Sequence, residues 1–138
     1  MAVFATTGLD EYAFPFTQLA GILPEVIDAM CEAEAEIIKK AQSETARSML
    51  QGPYYKGGVA AGARAGQKKR FANGTSMYVT FGGTQHGNRI AEIAFINEYG
   101  KKGQPARQFI RTANEKYADK AVEAARKILD AEIARLGL

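Results

Sequence analysis

Residues 89–113 read RIAEIAFINEYGKKGQPARQFIRTA, and they join the most strand-like segment of the chain to its longest helical one. In the first half, Ala91, Ile93 and Phe95 alternate with Ile90, Ala94 and Ile96. Both faces are apolar, which predicts a strand from Arg89 to Tyr99 that lies inside a sheet or is covered on both sides. Gly100, Lys101, Lys102 and Gly103 break it, and Pro105 then opens a helix expected from Ala106 to Leu136. Its stripe Ile110, Ala113, Tyr117, Ala121, Ala124, Ile128, Ala131 runs beside a second one, Ala118, Val122, Ala125, Leu129, Ile133, Leu136. The apolar face is wide and rich in alanine. Such a helix spans on the order of 45 Å, more than a small sheet covers, so close packing against another helix is expected, in this chain or in a second copy.

Working back from this stretch, Thr75 to Phe81 alternates Met77, Val79 and Phe81 with Tyr78 and Thr80 and reads as a strand. The turn GGTQHGN follows. The economical prediction is an antiparallel hairpin over about residues 75–99. His86, the one histidine of the chain, falls at the hairpin tip. The turn offers it no catalytic partner, so it reads as a solvated loop residue.

Residues 51–76, QGPYYKGGVAAGARAGQKKRFANGTS, are too rich in glycine to hold one conformation by local propensity. Residues 51–75 read as a flexible, basic loop, and a loop this long in a small domain is either functional or disordered. It carries Arg64, Lys68, Lys69 and Arg70 after the aromatics Tyr54 and Tyr55. Three readings stand: a loop that orders against partner subunits, a plain solvated loop, or a DNA- or channel-facing loop. No strand leads into its glycines and no GK[ST] follows them, so neither a P-loop nor a dinucleotide site is indicated.

From Pro24 to about Leu50, Val26, Met30, Ala33, Ile37 and Ala41 recur at helical spacing. Acidic residues fill the first half and Lys39, Lys40 and Arg47 the second, as the helix dipole favours. Glu25, Asp28, Glu32, Glu34 and Glu36 lack a histidine companion and read as a solvated face rather than a metal site. Cys31, the single cysteine, excludes an intrachain disulfide and reads as a small buried hydrophobe. Residues 1–23 are too apolar for a free tail and predict an arm or short helix, docked on this chain's own domain or on a neighbour.

The 138 residues, 46% hydrophobic and 24% charged, suit one domain, 1–138, able to bury a core without disulfides. The expected class is α+β: a long N-terminal helix, a small antiparallel sheet built on the hairpin, and a long C-terminal helix packed on the sheet. No apolar run reaches the roughly 20 residues of a membrane span, and no signal-peptide pattern opens the chain, so an intracellular soluble product with no membrane partner is expected. A formal charge of +3 and a pI near 9.0 fall short of the strong excess of a protein that tracks phosphates. Nothing assembles a nucleophile with a base, a metal-ligand set or a cofactor cradle, so the chain reads as non-enzymatic and without a cofactor.

INEYG followed by QPARQFIRTA at the head of a long helix, after an acidic amphipathic first helix and the opening GLDEYAFPFTQLAGILPEVIDAM, resembles a family of structural proteins of long-tailed bacteriophages. These are the small neck, or tail-completion, proteins encoded among the head and tail morphogenesis genes of such phages and prophages. Glu98, Tyr99 and Gly100 match the family's EYG or EHG. Gln104, Pro105, Ala106 and Arg107 match its QPAR, and Phe109, Ile110, Arg111 and Ala113 match the following PFIRPA. Gln108 and Thr112 stand where proline is usual, and the middle loop lacks the TGxLxxS step that leads into the family's sheet.

The resemblance implies a virion protein of the neck, assembled in the host cytoplasm as an oligomeric ring. It would join the portal-proximal connector, or stopper, to the tail terminator or tail tube protein, with non-specific contact to packaged DNA. It makes Glu98, Tyr99, Arg107, Phe109 and Arg111 candidate interface residues. A tail-terminator ring is the near alternative. A small basic nucleic-acid-binding module built on Arg64, Lys68, Lys69 and Arg70 is the rival from another class. Arg107 and Arg111 lie four apart at a helix N-terminus, where the dipole disfavours positive charge. Glu98 across the turn is the expected internal partner, and an acidic patch on a neighbouring subunit is the other candidate.

Overall fold

The computed structural model describes residues 13–50, 57–72 and 74–137, with backbone only for 13–23. The protein is α+β, with two long helices and short antiparallel hairpin strands between them. In chain order these are α1 Ala13–Met49, α2 Gly58–Gly62, β1 Ala63–Ala65, β2 Lys69–Phe71, β3 Gly74–Ser76, β4 Val79–Phe81, β5 Thr84–Gln85, β6 Asn88–Arg89, α3 Ile90–Tyr99 and α4 Phe109–Arg135.

Helix α1 passes through Pro24 instead of starting there. Proline inside a helix forgoes one backbone bond at roughly 3 kcal/mol, so the preference for the first turn is strong without being absolute. Residues 13–23 of the expected arm are therefore the first turns of α1, and residues 1–12 lie outside the described region. Helices α1 and α4 pack antiparallel along their length. Val26 and Met30 meet Ala125, Ile128 and Leu129 near one end, and Ala46 and Leu50 cluster with Phe109 near the other. Between them the Gln42 amide donates to Asn114 Oδ1 at 2.9 Å. The alanines let the helix backbones approach closely. The expected seat of the C-terminal helix on a sheet is thus corrected: α4 rests chiefly on α1 and meets the strands through Phe109, whose ring lies edge-on to Phe81 at 5.7 Å.

The segment Ile90–Tyr99 is a helix, not the second strand of a hairpin. Its buried residues are Ile90, Ala94, Asn97 and Glu98, spaced four, three and one, which is a helical face. The alternation of apolar residues that suggested a strand follows from a segment apolar on most sides, where a period of two and a period of 3.6 both find matches. Gly100 ends α3 at φ 80°, its N–H returning to Ile96 O at 2.7 Å. A Cβ there would stand 2.7 Å from the Ala106 backbone nitrogen, so the turn requires glycine on conformational and steric grounds together.

The strands form three separate two-stranded antiparallel ribbons, β1 with β4, β2 with β3 and β5 with β6. Within the expected flexible loop 51–75 lie α2, β1, β2 and the start of β3, while 51–56 and 73 are outside the described residues. The glycines permit this because they admit close approaches. Gly82 N–H donates to Gly62 O at 2.9 Å, where a Cβ on Gly62 would lie 2.7 Å from Gly82 O. Val59 and Ala60 of α2 enter the same core cluster as Leu50, Ile90 and Phe109.

Candidate functional site

The joint between α3 and α4 is held by a dense set of hydrogen bonds. Pro105, Ala106, Arg107 and Gln108 are not helical, and α4 starts at Phe109, later than Pro105 suggested. Two features hold it there. The Arg107 N–H donates to Asn97 O at 2.8 Å, tying the backbone to the end of α3. Gln108 then turns into the left-handed region at φ 50° and offers no side-chain cap. The first turn of a helix leaves N–H groups without acceptors. Here a residue twelve positions upstream supplies them: Glu98 Oε2 accepts the Ile110 N–H at 2.7 Å and Oε1 accepts the Arg111 N–H at 3.1 Å. Glu98 is 6% exposed, so its charge is held by the helix end, where the dipole favours it.

This changes the expected pairing. Something does meet the charge problem at the head of α4, but Glu98 serves the backbone rather than the arginine side chains. Arg111 Nε donates to Glu115 Oε1 at 3.0 Å, one turn along α4. Arg107 Nη1 donates to Asn97 Oδ1 at 3.3 Å. Asn97 also donates from Nδ2 to Ile93 O at 2.8 Å, and Lys101 and Gln104 exchange backbone bonds of 2.9 Å across the turn. Of the five candidate interface residues, Glu98 and Phe109 are buried in this chain's own fold, while Tyr99, Arg107 and Arg111 face solvent. Tyr99 is 69% exposed and packs on Phe95, 62% exposed, with ring centroids 4.8 Å apart. Lys101, Lys102 and Arg107 surround this pair in sequence and are also exposed.

The four cations of the middle segment lie against the chain itself. Arg70 binds Asp28 through Nε at 2.8 Å and also through Nη2, while Thr75 Oγ1 donates to the other carboxylate oxygen at 2.7 Å. Lys68 Nζ lies 2.5 Å from Glu32. Lys69 sits over the Tyr78 ring at 5.7 Å, and the Arg64 guanidinium packs over Gly82. Tyr54 and Tyr55, grouped with these cations on sequence, lie outside the described residues. Asp28 is thus a buried clamp, 4% exposed, and not part of a solvated face. No spacing within α1 marks it, because its partners stand more than forty positions away.

The hydrogen bonds from Arg70, and after them that from Thr75, hold the Asp28 carboxyl below its ordinary value of 3.8. A carboxylate with a lower pKa in the folded state stabilises fully above the unfolded value, and this contribution is lost as pH falls through the folded one. Asp28→Asn is therefore expected to lower the urea midpoint by a constant amount above about pH 5. The gap to the parent should close below pH 3.8. Urea titrations across this range check it, and a gap unchanged down to about pH 2 would show that Asp28 does not titrate as argued.

Beside this clamp a groove of about 210 Å³ opens between α1 and β3, lined by Ile27, Met30, Cys31, Glu34, Thr75, Ser76 and Met77. The Cys31 thiol points at Thr75 O at 3.8 Å, and burial, then Glu34, pushes its pKa up. His86 is exposed at φ 52° in the β5–β6 turn. Among the described residues no group of three His, Cys, Asp or Glu side chains is placed to hold a metal ion, and no helix is long and apolar enough to cross a membrane. No protein-family model, no curated protein and no solved structure matches the chain.

Proposed function

We propose that this chain is a non-enzymatic structural protein of a long-tailed phage virion, a ring-forming component of the neck that joins the head connector to the tail. The support is the likeness of Glu98 to Ala113 to the neck-protein motif, together with what that motif does in the fold. Glu98, Gly100, Gln104 and Phe109 are consumed in building a fixed joint. The exposed Tyr99, its ring tilted against that of the exposed Phe95, is the observation that carries the reading, because two large aromatic faces left in water beside a rigid joint mark a contact surface. A tail-terminator role, a related ring capping the tail tube, is the near alternative.

The nucleic-acid rival is less well supported, since Lys68 and Arg70 already neutralise Glu32 and Asp28. Any DNA contact in the neck would fall to Lys69 and Arg64 and be non-specific. Electron microscopy of the purified protein is expected to show rings, and removal of its gene to leave heads and tails unjoined. A protein that stays monomeric and is absent from virions would overturn the proposal. A fluorescence titration with duplex DNA at low salt is expected to be flat.

A further inference from the structure

We infer that copies of this chain join head to tail, the Phe95–Tyr99 pair of one copy entering the groove between α1 and β3 of the next. The inference deepens the ring reading above and rests on it. The aromatic head lies at the end of the fold where Ala94 and Ile90 pack with Ala46 and Leu50. The groove lies around Met30, twenty residues back along α1 and so roughly 30 Å away. One molecule therefore cannot bring its own head to its own groove. A contact between two different patches is heterologous, and it closes into a ring or runs on as a filament.

The two surfaces suit each other chemically. The groove is apolar along Ile27, Met30 and Met77, with Glu34 on its lining. Its opening gives an aromatic anchor the desolvated seat that strong contacts use. The exposed cations Lys101, Lys102 and Arg107 follow the head closely in sequence, and neither they nor Glu34 have an ion pair among the described residues. The cations beside the aromatic head can thus meet Glu34, the one charged side chain on the groove's lining. Two heads brought together would face like charge with like, which disfavours a symmetric dimer through that patch.

Cys31 lines the groove and is the only cysteine of the chain, which makes the contact testable in the folded protein. In Lys102→Cys, which leaves Phe95 and Tyr99 in place, a short bismaleimide is expected to link residue 102 of one copy to Cys31 of the next and give a ladder of covalent oligomers on a denaturing gel. Adding Cys31→Ser should abolish the ladder. A product that stops at dimers, or no product, overturns the inference. In sedimentation, Phe95→Ser/Tyr99→Ser and Glu34→Lys/Met77→Lys should each weaken association by at least about 30-fold. An equimolar mixture of the two should give a heterodimer and nothing larger, because only one intact head and one intact groove remain. Rings that persist in the Phe95→Ser/Tyr99→Ser protein would sink this contact while leaving the ring reading in place. A parent protein that never assembles and is missing from virions would remove both.

Discussion

Phe109→Ala is expected to destabilise the protein by about 4 kcal/mol, close to the upper end for emptying a buried aromatic site. Phe109 is fully buried and stands where α1, α3, α4 and the β1–β4 ribbon converge, against Leu50, Ile90, Ala94 and Phe81. Its neighbours come from the end of α1, from α3 and from β4, each held by other contacts, so the site cannot collapse cheaply around an alanine. For a domain of this size the loss corresponds to a fall in Tm of about 15 °C. Thermal melts and urea titrations read it, with an unchanged urea slope if the folded and unfolded ensembles keep their compactness. Phe109→Leu, which keeps most of the volume, should cost about 1.5 kcal/mol. A Phe109→Ala protein within about 1 kcal/mol of the parent would mean that the junction can repack and that Phe109 is not its keystone.

The second large effect is expected at Glu98. Replacing it by alanine leaves the N–H groups of Ile110 and Arg111 without their acceptors and removes a buried carboxylate from the positive end of α4. Charge-assisted bonds and a lost helix cap together predict about 3 kcal/mol, or a Tm lowered by about 10 °C. Glu98→Gln keeps one acceptor oxygen and gives up the charge, so about half of that loss is expected. Circular dichroism melts of both variants give the comparison. If Glu98→Ala melted within about 2 °C of the parent, the carboxylate would be contributing nothing beyond what water supplies. A glutamate whose main duty lay at a subunit contact would show the reverse pattern, with stability kept and assembly lost.

Much of this architecture is legible in the chain, and the reasons are local. Of the expected stripes, Val26, Met30 and Ala41 in α1 and Ala113, Ala121 and Ala125 in α4 are buried, whereas Ala118 and Val122 of the second α4 stripe are exposed, so the buried face of α4 is narrower than its apolar pattern. The α+β class follows from them and from the Met77 to Phe81 alternation, part of which forms β4. What sequence reading placed wrongly depends on long-range partners. Ile90 to Tyr99 satisfies two periodicities at once, and the choice between them is made by Ala46, Leu50 and Val59, which lie outside the segment. Asp28 looks like its neighbours Glu25 and Glu32 until Arg70 and Thr75 are brought to it. Glu98 meets the expected helix end through the backbone N–H groups of Ile110 and Arg111 rather than through the arginine side chains, and residue spacing marks side chains but not free backbone N–H groups. The late start of α4 has the same origin, in the bond from Arg107 to Asn97 O.

The division of the strands into three ribbons also bears on the order in which the chain acquires its structure. A two-stranded ribbon is marginal in water by itself, and here each is only two or three residues long. None can serve as a nucleus. At the Val26–Ala125 end the α1–α4 pair packs through helix residues alone, so this end can form before the strands and present Asp28 and Glu32 as docking points for the β2–β3 ribbon. Amide protons of that ribbon should then exchange with solvent at a rate set by its detachment from α1 rather than by unfolding of the whole molecule. The ribbon acquires its durability from the two carboxylates beneath it.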